Sequence, residues 1–371
     1  MLATSASMTC LCLLFPGAPR AEELPAATQA MLSQLGLQPD ILSGLDQELA
    51  VPPGLVAAAE REGKFRVSGT WDPEQFEVVM RPFRARYPGL RGEYTYASYA
   101  NRALRVLTAF RQGRVLFEVM TGFGGAASQF KESGALLSLA DLPSLAHVAA
   151  GHMRDPQGFW VGHQATHWCM PYQTKLVAET DLPKSWDDLV TGTRFAEGAI
   201  GLANRPQLWF LPLWEAKGAA WGKSFLAKLF ALKPQRRTEN VYATIGLMAA
   251  GEFQLSLPGS GYRTHLEAAK GAPVSFHCPE PVPVAIEEIG ALSNSAAPNA
   301  ARLFINWLLS KEGQIAQFAA DRGTPVHRDL QDARFLSYAE RIDGKPIALR
   351  TPEGIERYET EVSEEWGRYW K

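Results

Sequence analysis

The stretch LPKSWDDLVTGTRFAEGAIGLANRP, residues 182–206, carries one unit of an α/β architecture. Ser185 precedes a short polar turn and Asp188 follows three positions later, so the two side chains can cap a helix start. Trp186 is bulky enough to anchor that turn by burial. A glycine turn leads into an apolar strand over 199–203, and the chain then leaves through Asn204-Arg205-Pro206. In α/β sheets ligands gather outside the carboxyl ends of strands. Arg205 therefore reads as a ligand contact, a solvated loop charge or a structural salt bridge.

The same alternation extends on both sides. Residues 64–69 read as a strand, and Asp72-Pro73-Glu74-Gln75 has the form of a capping box with proline at the first helical position. Phe76, Val79, Met80, Phe83 and Tyr87 recur at helical spacing, with Pro82 expected to kink that helix. A strand over 93–97, a helix opened by Ser98 with Leu104, Leu107 and Phe110 on one face, and a strand over 115–120 follow. Thr121-Gly122-Phe123-Gly124-Gly125 then leads into a helix that ends at Gly134. This β-α-β-α-β-α order predicts a helix-covered sheet.

After an extended aromatic stretch over 159–172, a second set begins. It comprises strands over 199–203, 253–257 and 273–277, with helices over 208–232, 238–250 and from Tyr262. Residues 278–292 are extended again and carry Pro279, Pro281 and Pro283. A chain that crosses to a second lobe near 168–172 and returns near 278–284 makes a hinge and a cleft, a favoured ligand site. The expected boundaries are 55–168 with 285–345 for the first lobe and 172–278 for the second. Residues 22–54 form an N-terminal extension and 346–371 a C-terminal segment.

Length and composition agree with such a protein. The 371 residues are 46% hydrophobic and 20% charged, with a net charge of −2 and no basic stripe, which argues against nucleic acid as a partner. Residues 8–15 are a short apolar run followed by small residues up to Ala21, so 1–21 reads as an export signal, although no Lys or Arg precedes the run. Its removal leaves two cysteines, Cys169 and Cys278, which are either bridged or buried free thiols.

Several motifs, in order, resemble one family. They are EGKFRV at 62–67, RYPG at 86–89, LPKSWDDL at 182–189, AAGEF at 249–253 and AAPNAARLFINWLLSKEGQ at 296–314. Together they resemble the bacterial extracellular solute-binding proteins, in the type 2 periplasmic-binding branch that includes ferric-ion receptors. The resemblance implies a two-lobed α/β fold with mixed sheets and a hinged cleft. It implies a periplasmic, monomeric receptor of an ABC importer that docks to a membrane permease and needs no cofactor.

Three strand-to-helix loops are then the expected ligand cradle: Thr70-Trp71-Asp72, Thr121-Gly122-Phe123, and Ser260-Gly261-Tyr262-Arg263. Each can aim backbone N–H groups and a positive helix end at an anion, or can merely allow a tight turn. Trp71 can stack on a ligand or pack in its lobe. Tyr172 matches the family's hinge-exit tyrosine. Arg205 and Arg263 can clamp a carboxylate or phosphate. The iron-binding branch has two adjacent tyrosines where this chain has Gly261-Tyr262, which points away from iron and toward a small organic anion.

His163, His167 and Cys169 share a strand face but read as chance spacing rather than a metal site. Cys169 and Cys278 fall at the two crossings, which suggests a disulfide across the hinge. No nucleophile elbow, metalloprotease or phosphate-loop motif occurs, and the adjacent acids Glu287 and Glu288 would face opposite ways in a strand. The expected function is thus a receptor for a small anionic solute. A ferric receptor, and an enzyme or sensor subunit on the same fold, are the alternatives.

Overall fold

The computed structural model describes residues 24–69, 71–97, 99–148, 153–336 and 341–371. The export-signal reading, Thr70 and Ser98 lie outside them. The first lobe opens with β1 (Lys64–Gly69), β2 (Arg91–Tyr96) and β3 (Val119–Thr121). β1 pairs in parallel with both of the others. β3 is shorter than the strand expected over 115–120. Glu118 extends its contact with β1: its amide donates to the Arg66 carbonyl at 2.9 Å, and its carboxylate accepts from the Arg66 amide at 2.7 Å.

Two long strands join the lobes. β4 (Val161–Gln173) runs from the first lobe into the second, and its lower half pairs antiparallel with the return strand over 282–291. The second lobe is built on β5 (Ile200–Ala203), β6 (Gln235–Arg237) and β7 (Leu255–Leu257), with β5 parallel to both neighbours. β8 (Gly259–Ser260) and β9 (Val274–His277) pair with the upper half of β4. β10 (Val282–Ala291) completes the return, and β11 (Ile347–Arg350) adds to it in parallel. The main path runs β2-β1-β3-β10-β4-β7-β5-β6, a mixed sheet with the hinge at its centre.

Local chemistry explains the elements. Asp72 and Gln75 form the capping box of the helix Pro73–Arg86, which continues unbroken through a buried Pro82. Ser185 and Asp188 cap Trp186–Leu189 reciprocally. Trp186 is fully buried, its ring centroid 4.9 Å from that of Trp209, and its indole N–H donates to the Pro281 carbonyl at 2.9 Å. The LPKSWDDL turn is thereby tied to the returning strand.

Each lobe has its own aromatic core. Phe65, Phe76, Phe83, Phe304 and Trp307 fill the first, joined by Leu32 and Leu42 from the N-terminal extension. Trp186, Trp209, Phe210 and Trp214 fill the second, joined by Ile355 and Trp366 from the C-terminal helix Pro352–Tyr369. The two terminal segments are therefore integral to different lobes. Cys169 on β4 and Cys278 just after β9 are disulfide-bonded, with Cα atoms 4.4 Å apart.

Candidate functional site

A cleft of about 310 Å³ opens where β1, β5 and β8 end. The first lobe contributes Trp71, Asp72, Gln75 and Tyr96. The second contributes Arg205, Tyr242, Tyr262 and Arg263. Between them β4 presents Gln164, Thr166 and Trp168, alternate residues that share one strand face.

The sequence-predicted residues divide. Trp71, Asp72, Arg205, Tyr262 and Arg263 meet in the cleft. Thr121, Gly122, Phe123, Tyr172, Ser260 and Gly261 do not line it. In the second loop the amides expected to be free for a ligand are already used: Gly122 N–H donates to the Glu288 carbonyl at 2.6 Å, and Phe123 N–H to the Glu288 carboxylate at 3.2 Å. The Phe123 ring packs on Phe130, centroids 5.0 Å apart, in a core cluster of the first lobe. Tyr172 faces the core of the second lobe and is 5% exposed, so its phenol is not available to the cleft. Ser260 and Gly261 are buried, with Ser260 paired to Trp168 across the β4–β8 ladder.

Trp71 packs in its lobe and also borders the cleft: it is 3% exposed and lies near Phe76 and His163. Together with Gln164 and the Gly323 amide it hydrogen-bonds the carboxylate of Asp321. Burial dominates over those bonds and pushes the Asp321 pKa up to about 6.

Arg205 sits immediately before the helix Pro206–Lys217, with Pro206 at the first helical position. It is exposed and donates to the Asn204 carbonyl at 2.7 Å; among the described residues no carboxylate pairs with it. Arg263 lies 3.4 Å from Glu267 and its guanidinium stands 5.1 Å from the Tyr242 ring centroid. The indole N–H of Trp168 is buried without a hydrogen-bond partner among the described residues, so it remains available as a donor.

Sequence reading missed Tyr242. Asn240 follows β6 and caps the helix Val241–Ala249 by accepting from the Tyr242 and Ala243 amides. This cap holds the Tyr242 hydroxyl 3.0 Å from that of Tyr262. Tyr262 is therefore not a lone phenol, which corrects the argument that had set iron aside. Burial lifts the pKa of Tyr262 well above 10, and partial desolvation of Tyr242, which is 43% exposed, moves its pKa in the same direction, so both are neutral near pH 7. The signal that was present in the sequence is Asn240-Val241-Tyr242, a capping residue and an aromatic directly after a strand. The alternation of Gln164, Thr166 and Trp168 was equally readable and was passed over in favour of His163, His167 and Cys169. That second set forms no cluster: His163 bonds Gln317 at 2.7 Å, Cys169 is in the disulfide, and burial lowers the His167 pKa to about 4.

Residues 79–340 match the family model for bacterial extracellular solute-binding proteins. The chain belongs to that family. Solved structures share its fold. Iron-bound HitA from Pseudomonas aeruginosa has 20% identity and a TM-score of 0.70, over 82% of this chain and 99% of its own. The periplasmic binding protein AfuA from Actinobacillus pleuropneumoniae, with fructose-6-phosphate bound, has 16% identity and a TM-score of 0.68, over 83% and 98%. The ferric binding protein from Campylobacter jejuni has 14% identity and a TM-score of 0.69, over 82% and 98%. No curated protein matches the chain in sequence. The solute-binding protein is thus a two-lobed α/β receptor with a hinge cleft. Identities this low carry the fold across and leave the solute to be argued from the cleft itself.

Proposed function

We propose that the cleft takes a small organic anion, a carboxylate or a phosphate ester, and that the closed form delivers it to the membrane permease of an ABC importer. The observation that carries this reading is Arg205: an exposed guanidinium at the carboxyl end of β5, on the cleft wall, with no carboxylate partner among the described residues. Its planar fork suits two anionic oxygens. Arg263 and the Trp168 indole N–H add donors on the same wall. A ligand that touches both Arg205 and the Trp71–Asp72 side favours the closed state through contacts made only there. The reading includes a periplasmic, monomeric protein with no catalytic step.

Isothermal titration of the protein with short-chain carboxylates, phosphate esters and phosphonates tests it. One class should bind, and Arg205→Ala should weaken that binding by about 10- to 100-fold, the worth of a charge-assisted hydrogen bond. Equal affinity in Arg205→Ala, or no binding by any anion, would overturn the reading.

The Tyr242–Tyr262 pair supports a second reading, ferric ion as the solute. Two phenols that lose their protons would offer hard anionic oxygens alongside the cleft carboxylates. Ferric titration should then produce a visible tyrosinate charge-transfer band that Tyr242→Phe and Tyr262→Phe each diminish. Absence of the band removes this reading.

A further inference from the structure

Three side chains from separate segments converge at a point outside the cleft. Glu48 ends the helix Leu45–Glu48 of the N-terminal extension. His147 ends the turn Pro143–His147, and His327 precedes the turn Arg328–Leu330. An isolated antiparallel bridge between Val148 and His327 brings the two histidines together, and their rings lie parallel with centroids 5.1 Å apart. One ligating atom of each of the three residues lies within 4.8 Å of the others.

The donors are buried and incompletely used. Glu48 is 1% exposed and His327 is fully buried. Glu48 Oε1 and His327 Nε2 face each other at 3.3 Å without a well-formed hydrogen bond, and His147 Nδ1 is buried without a hydrogen-bond partner among the described residues. A buried polar atom left in this state is unusual and asks for an occupant. The carboxylate is held in place by its other oxygen, which accepts from the Lys311 amide at 2.7 Å. The Glu48 carbonyl accepts from Ser144 and Asn306, so the backbone beneath it is also fixed.

We propose that Glu48, His147 and His327 form a divalent-cation site of the zinc class, which fastens the N-terminal extension to the first lobe. Two imidazole nitrogens and one carboxylate oxygen are a donor set that zinc accepts, with a fourth position left for water. The 3.3 Å between His327 Nε2 and Glu48 Oε1 is already close to the donor separation that bonds of about 2.0–2.2 Å require. His147 is the partly exposed member and closes the remaining distance by side-chain rotation.

The protonation states favour uptake. Burial works against ionised Glu48, but bonds from His327 and the Lys311 amide bring its pKa below the ordinary carboxylate value. Burial lowers the pKa of His147, which keeps it neutral. His327 Nδ1 accepts from the Asp329 amide at 3.2 Å, which puts the metal-free ring's proton on Nε2. A cation on Nε2 takes the place of that proton and costs at most this one long hydrogen bond. The Lys311 ammonium, 3.8 Å from Glu48 Oε1, is drawn aside by the Ser43 carbonyl at 2.6 Å and by Asp329 at 3.2 Å.

The test uses the full chain carrying Cys10→Ser and Cys12→Ser, stripped with chelator and titrated with Zn²⁺ and Co²⁺. One equivalent should bind, Co²⁺ should give the intense visible bands of low coordination, and the unfolding temperature should rise. His147→Gln, at the partly exposed position, should abolish all three while circular dichroism stays unchanged. Glu48→Gln should weaken uptake at least tenfold. Tyr242→Phe with Tyr262→Phe should leave it unchanged, which separates this site from the cleft. No saturable uptake, or equal uptake in His147→Gln, would overturn the proposal and leave the triad as a buried hydrogen-bonding cluster.

Discussion

Replacing Asp321 by Asn should change the pH dependence of stability in a defined direction. Asp321 is 4% exposed and its pKa rises from 3.8 to about 6, because burial outweighs the bonds from Gly323, Gln164 and Trp71. Between those two values the folded state holds a proton that the unfolded chain has lost. Stability therefore falls as pH rises through this window, and the contribution is complete below about 4 and gone above about 6. The difference corresponds to about 3 kcal/mol, at 1.36 kcal/mol per pKa unit. Asn cannot ionise, so the variant lacks this loss. Urea unfolding of both proteins at pH 4 and pH 7 measures it. His167 and His277, which also titrate near this range, are common to both proteins and cancel in the difference. Relative to wild type, Asp321→Asn should gain up to about 3 kcal/mol between pH 4 and pH 7. A difference that is the same at both pH values, within about 0.5 kcal/mol of scatter, would refute the assignment of a buried, proton-retaining carboxyl. Because Asp321 borders the cleft, its protonation also removes a negative charge there, so anion affinity should rise as pH falls through about 6.

Three further outcomes are expected. His167→Gln should act in the opposite sense: burial lowers the histidine pKa to about 4, so the wild type loses stability as pH falls from about 6.5 to 4, and the variant should lose about 3 kcal/mol less over that range, read by the same unfolding series. Cys169→Ala with Cys278→Ala opens a link spanning 109 residues and should lower the unfolding free energy by about 2–5 kcal/mol in non-reducing urea melts. Trp186→Ala removes a fully buried ring and its bond to Pro281, and should cost about 3–5 kcal/mol by the same measurement.

The α/β lobes were legible because their signals are local. Capping residues, glycine turns and apolar runs lie within a few positions of one another, so Asp72–Gln75 and Ser185–Asp188 could be read directly and both boxes are present. The loop after β5 was placed on the same grounds, and Arg205 does border the cleft. The second glycine loop misled, because whether an amide is free depends on a strand far away in sequence. Glu288 comes from β10 and occupies the amides of Gly122 and Phe123. Tyr172 misled for a similar reason: its strand position was right, but its side chain packs with Met170 in the core of the second lobe.

What the sequence determined by itself is the family, most of the order of strands and helices, the two crossings and the end of β5 as a cleft-facing loop, while the short strands β6, β8 and β11 went unread. These depend on hydrophobic period and turn chemistry, which act over a few residues. Only the tertiary structure decided which side chains share a space. The hydroxyls of Tyr242 and Tyr262, 20 positions apart, meet at 3.0 Å, and Glu48, His147 and His327 gather from three segments. Asp321 keeps its proton near pH 6 because the folded lobe excludes water from it. Such encounters are set by how helices and strands pack across long stretches of chain, and no local pattern encodes which side chain will arrive opposite which.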